Sequence, residues 1–285
     1  MGSNSEAARY LLTRTKAESD RLDDQHEAFR ETLGFLLHPA IPQRGHMRIA
    51  DLAAFKEGIW LRDIAGKLPE TCRFDGFDVS LDQVPDRALF PTDINYYVQD
   101  VLEPFPTEFL GQYDAVHVRL LVMGLKAEQW ELAIRNLMTL LRPGGYLQWT
   151  DIAVHDGVVI PGAPGCNVDD ANALLKQLMK TVSSHGKSGK SVTELYPQFK
   201  KCGLKDCRED IVPLDKPEYK DMLNANYVKA MSHILQAACL QAGQGGHDAL
   251  SMDQIARLGK LALKNLQETN STMLFGLHVV TGRRE

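Results

Sequence analysis

The stretch "RIADLAAFKEGIWL", Arg48 to Leu61, decides how this chain is read. A short apolar run leads into it and an amphipathic helical pattern leads out, the layout of a strand, a nucleotide-binding loop and a helix. Such loops carry two or three glycines, because a residue without Cβ turns tightly and lets the backbone approach a ligand. Here Ala53, Ala54, Phe55, Lys56 and Glu57 fill the loop and only Gly58 remains.

Working outward, short apolar strands recur: "MRIADLA", "CRFDGFDV", "NYYVQ", "YDAVHVRLL" and "GYLQWTDI". Helical or loop segments separate them, the clearest being 126–141, "KAEQWELAIRNLMTLL", which "RPGG" stops. Strands alternating with helices predict an α/β fold with a parallel sheet wound by right-handed crossovers. In such sheets ligands bind beyond the carboxyl ends of the strands, so the residues just after each strand are the ones to inspect.

Before this core, residues 6–38 read as helical and "HPAIPQRG" ends them. After residue 155, "GVVIPGAPG" reads as loop, 168–181, 217–242 and 251–268 as helices, and "DCREDIVPL" and the closing "STMLFGLHVVTGRRE" as strands. The expected organisation is a helical cover over 1–45, a sheet core over 46–155, and a helical cap plus the last strands over 156–285. "SSHGKSGKS" lacks the spacing and preceding strand of a phosphate loop and reads as a lid or solvent loop.

The 285 residues suffice for one large domain, or a core with a substantial cap. A net charge of -5 offers no basic surplus for nucleic acid or anionic membrane. No apolar run approaches the ~18 residues of a membrane span, and the N-terminus lacks the apolar core of a signal peptide. Five dispersed cysteines without metal-ligand spacing suggest reduced thiols, no bound metal and a cytoplasmic location.

Four positions after strands carry the chemistry. Asp78 ends the second strand, suited to accept from both hydroxyls of a ribose, and Asp100 follows the third. The fourth strand ends in "HVRLL" with His117 and Arg119, and Thr150 and Asp151 follow the "LRPGGYLQW" turn. Each has a plainer reading: turn-forming aspartates at 78 and 100, a satisfied buried histidine at 117, a salt bridge at 119. Trp149 and Asp151 share a strand face by the period of two, Trp149 as core or pocket wall and Asp151 as a possible general base. His155, Tyr227 and His233 are further polar groups in the second half.

With these residues in hand, the chain resembles the class I S-adenosylmethionine methyltransferases, in the branch of fungal secondary metabolism. The matching motifs are "YLLTRTKAESDRLDDQH", "RIAD" with "GIWL", "FDGFDVSLDQVP", "YDAVHVRLL" and "LRPGGYLQW", dense from about residue 10 to 152, with "HVVTGRRE" at the end. The resemblance implies a seven-stranded Rossmann-like sheet with its last strand antiparallel. It also implies cofactor contacts at Asp51, Gly58, Asp78, Asp100 and Val101, with Tyr10 and Arg14 on a covering helix. A small natural-product intermediate would lie over His117, Arg119 and Asp151, in a monomer or homodimer. The departure is the loop, which in this branch reads like "IADVGTGTGIWL". Losing its glycines and gaining one residue argues against the ordinary cofactor pose, and favours an enzyme repurposed for a cyclisation, pericyclic or isomerisation step. The alternatives are an O- or N-methyltransferase on such an intermediate, and a non-catalytic methyltransferase-like partner protein.

Overall fold

A computed structural model describes residues 16–53, 55–80, 94–188, 190–241 and 250–285, the side chains of 16–20 and 55–57 aside. Tyr10 and Arg14 lie outside them. The chain divides into two units, one built on a sheet (33–152, 191–212, 277–285), the other mainly helical (the rest).

In the sheet unit, β1 (Arg48–Leu52), β2 (Arg73–Asp78), β3 (Ile94–Val98), β4 (Tyr113–Arg119) and β5 (Leu141–Ile152) pair in parallel, while β9 (Gly276–Arg283) runs antiparallel to β5. With β7 (Lys205–Pro213) the order is β3-β2-β1-β4-β5-β9-β7, seven strands in all. The chain order reverses direction between β1 and β4, which makes their carboxyl ends the switch point where such sheets bind ligands.

One sheet face is covered by α2 (Phe55–Ala65), whose Trp60, Leu61 and Ile64 pack with Ile49, Phe74, Ile94 and Ala115. On the other face Phe77 meets Phe105, Phe109 and Tyr113 edge-on, and Trp130 of α3 (Trp130–Leu140) stacks on Trp149 at 5.1 Å. Helix α3 starts four residues later than the sequence pattern predicts, because 127–129 wind as a 3-10 turn. At the amino ends of the strands, buried Asp75 accepts from Arg48, Tyr113 and Asn95, which satisfies a carboxylate that burial would otherwise disfavour.

The helical unit holds α1 (Lys16–Leu33), α4 (Asp169–Ser184), α6 (Lys220–Gln241) and α7 (Met252–Glu268). The short helix α5 (Leu195–Lys201) belongs to the sheet unit. Arg21 of α1 donates to the Asn226 side chain at 2.7 Å, and the Asn226 amide donates back to the Arg21 carbonyl. Helix α7 opens with a reciprocal cap, Gln254 N–H to the Ser251 hydroxyl and Ser251 N–H to the Gln254 amide oxygen. Two expectations are corrected. Part of "GVVIPGAPG" is a strand, β6 (Val158–Ile160), and the closing strand breaks at Phe275 so that β8 (Thr272–Leu274) pairs with β6 in a small second sheet. No helix among the described residues is long and apolar enough to cross a membrane, no group of three or more metal-ligating side chains occurs among them, and all five cysteines are free.

Candidate functional site

The turn from β1 into α2 sits at the switch point. Ala53 holds a left-handed backbone, φ 56°, and Gly58 another, φ 55°. Glycines in dinucleotide loops have three separable tasks: a tight turn, room for the ligand, and close helix–sheet packing. The tight turn here is made by an alanine, in a conformation that favours glycine. The packing task falls to Gly58: a Cβ there would stand 2.0 Å from the Tyr96 hydroxyl and 2.8 Å from its ring carbon. Gly76 on β2 likewise makes room for the Tyr96 ring, 2.6 Å from where its Cβ would be. The space left by Gly58 is therefore filled by a protein side chain.

The neighbouring Asp51 is also taken up internally. In the β1–β4 register it pairs with His117, and the imidazole Nδ1–H donates to Asp51 Oδ1 at 2.7 Å. Trp60 stacks on the His117 ring, centroids 3.8 Å apart and 8° from parallel. Both members of the pair are buried, and burial pulls His117 below its ordinary range although Asp51 opposes this. The ring is thus a neutral donor at neutral pH, sealed against solvent.

Arg119, half-buried two residues on, is held down to about 10 by burial, with Asp51 and Asp63 of α2 pulling the other way. It remains a cation at neutral pH, within the electrostatic influence of these two acids. Asp78 and Asp100 stand half-buried beyond the ends of β2 and β3. Each spends an oxygen on its own turn, Asp78 on Ser80 N–H at 3.2 Å and Asp100 on Leu102 N–H at 2.9 Å. The Val101 carbonyl accepts from Asn136 of α3.

Asp151 does not join His117 and Arg119. Arg119 pairs with Thr150, so the next residue points to the opposite face. There its Oδ2 accepts from Leu121 N–H, Val122 N–H and the Trp149 indole, and its Oδ1 from Ile152 N–H. The expected general base is thus fully buried and engaged by four donors on the face away from His117 and Arg119. In the helical unit, His155 pairs with Asp156, and the buried Tyr227 hydroxyl, against Phe275, has no hydrogen-bond partner among the described residues. His233 stands half-buried on α6.

Trp60, Tyr96 and Asp63 were not singled out from the sequence. The alternation in "NYYVQ" does put Tyr96 on the side of Ile94, facing α2, which was the available signal.

No family model matches the chain. The methyltransferase grgD of Penicillium is 32% identical over 233 residues, covering 77% of this chain and 78% of that protein. The N-methyltransferase gliN of Aspergillus fumigatus is 24% identical over 256 residues, covering 87% and 88%. A crystal structure from Bacillus halodurans, of a protein assigned as a methyltransferase, superposes with a TM-score of 0.51 at 13% identity, covering 89% of this chain and 99% of that one. At that identity the likeness concerns the fold.

Proposed function

The chain belongs to the class I S-adenosylmethionine methyltransferases, in the branch of fungal secondary metabolism, and from that membership we propose an enzyme that rearranges a natural-product intermediate without moving a methyl group. The observation that carries this reading is Asp51, near the end of β1, engaged internally by His117 beneath the Trp60 ring. Of the three glycine tasks only helix–sheet packing is still served by glycine. In the sequence Phe55 stands in the stretch where this branch carries glycines, and Asp51 of β1 is bound to His117. The loss of the loop glycines and the internal use of Asp51 support a reading without S-adenosylmethionine.

A cyclisation, pericyclic or isomerisation step needs a shaped, dry site and a few fixed donors, not a carried group. Arg119 suits the part of polarising a carbonyl or steadying an enolate: it is charged at neutral pH and stands at the carboxyl end of β4. His117 and Asp51 hold the floor beneath it.

A second reading, methyl transfer to an oxygen or nitrogen of such an intermediate, is favoured by the left-handed backbone that Ala53 retains and by Asp78 and Asp100 at the strand ends. Isothermal titration of the full chain with S-adenosylmethionine and S-adenosylhomocysteine separates the two. The proposal expects no saturable binding of either, with the pathway product still formed. Micromolar binding of either overturns it in favour of methyl transfer. Absence of both binding and product overturns it in favour of a non-catalytic partner protein.

A further inference from the structure

Asp151 is withdrawn from the reacting face, yet its partners lead back to it. Two of its four donors are the N–H groups of Leu121 and Val122, on the turn that leaves β4 directly after Arg119. The amide just before them, Leu120 N–H, donates to the Thr150 carbonyl at 3.0 Å. Three successive amides of this turn are therefore held by two successive residues of β5. Leu120 itself has φ 57°, a left-handed conformation that a leucine keeps only when its surroundings hold it there. Such strain at a strand end of the switch-point sheet marks a segment whose exact course matters.

We propose that Asp151 is a positioning residue: from the far face it pins the turn 120–124, and so fixes Arg119 at the end of β4 without touching substrate. The importance of Arg119 rests on the function proposed above; the latch itself rests on the hydrogen bonds and the strained Leu120. The turn, "LLVMGL" over 120–125, has no titratable group of its own. Across the β5–β9 pair Asp151 is level with His278, whose ring is bonded to Glu209 of β7. Burial pushes the Asp151 carboxyl up to about 7 against the lowering by its four donors. A proton arriving there takes acceptor capacity from the turn.

The test compares the full wild-type chain with Asp151→Asn, in which an amide replaces one acceptor oxygen, and with Asp151→Asn/Leu120→Gly. Amide hydrogen exchange at Leu121 and Val122, corrected for intrinsic rates, is expected to quicken at least ten-fold in Asp151→Asn while the amides of β1 and β2 stay protected. In a producing fungus lacking the gene, complementation by Asp151→Asn is expected to lower the pathway product at least ten-fold. Glycine at 120 adopts the left-handed turn unaided, so the double variant is expected to regain part of that loss. A folded Asp151→Asn with wild-type protection and wild-type product overturns the proposal. Should that variant not fold, the wild-type chain decides. The amide resonances of Leu121 and Val122 must then titrate together with the Asp151 carboxyl carbon, and independent behaviour overturns the latch. If wild-type complementation restores no product, the function proposed above fails, while the exchange data still judge the latch.

Discussion

Replacing Gly58 by alanine tests whether the last glycine of the β1–α2 turn serves the protein or a ligand. Two terms add in Gly58→Ala. The left-handed backbone, φ 55°, costs an alanine about 1–2 kcal/mol. The new methyl would stand 2.0 Å from the Tyr96 hydroxyl and 2.9 Å from a second ring carbon, so ring or helix must shift, at about 1–3 kcal/mol. The expected loss is therefore about 2–5 kcal/mol. In a Tyr96→Ala background only the backbone term remains, about 1–2 kcal/mol. Urea unfolding of the four proteins, followed by tryptophan fluorescence, gives the coupling between the sites, expected at about 1–3 kcal/mol. Should Gly58→Ala cost the same in both backgrounds to within about 0.5 kcal/mol, Tyr96 does not fill that space and the reasoning fails.

Ala53→Gly relieves the left-handed alanine but adds freedom to the unfolded chain, so a net gain of about 0.5–1 kcal/mol is expected by the same unfolding measurement. A loss of stability would contradict the strained turn. Replacing His117 by alanine leaves buried Asp51 without its donor and is expected to cost about 3–5 kcal/mol at neutral pH. The pH dependence follows in sign. Burial depresses His117 in the folded state, so its contribution is present above about 6.5 and lost as pH falls through the lower folded value. Asp151 runs the other way: its raised carboxyl favours folding at low pH and loses that advantage as pH rises towards about 7. The informative quantity is therefore the stability difference between wild type and His117→Ala, which should shrink from pH 7 to pH 5. A constant difference would mean that the imidazole is not held neutral.

The sheet was legible because each strand carries its own apolar signal and each crossover its helical period. "DCREDIVPL" and the last strand were found on the same grounds, and both join the sheet. Within one strand the period of two also worked: Trp149 and Asp151 do share a face, the indole donating to the carboxylate. What alternation cannot supply is the phase between strands. Whether Asp151 lies with Arg119 or behind it depends on the β4–β5 register, Arg119 opposite Thr150, and nothing in either segment fixes that offset. The same limit hid the Asp51–His117 bond, between residues 66 apart in sequence that meet only because β4 lies beside β1. Split strands were illegible for a different reason: β6 and β8 are three residues each, too short to show a period.

The β1–α2 turn then has a physical reading that its residue types alone could not give. Missing glycines would ordinarily mean a different backbone, since left-handed turns disfavour side chains. Instead Ala53 keeps the left-handed turn, and Gly58 keeps the packing contact that brings α2 onto the sheet through Tyr96. The two tasks that concern folding, the turn at Ala53 and the packing at Gly58, are both still performed. Drift that damaged the loop at random would strike these two as well, and would disturb α2, whose Trp60 seals the His117–Asp51 pair. A turn that preserves its architecture keeps the floor of this site, the His117–Asp51 pair under Trp60, in place.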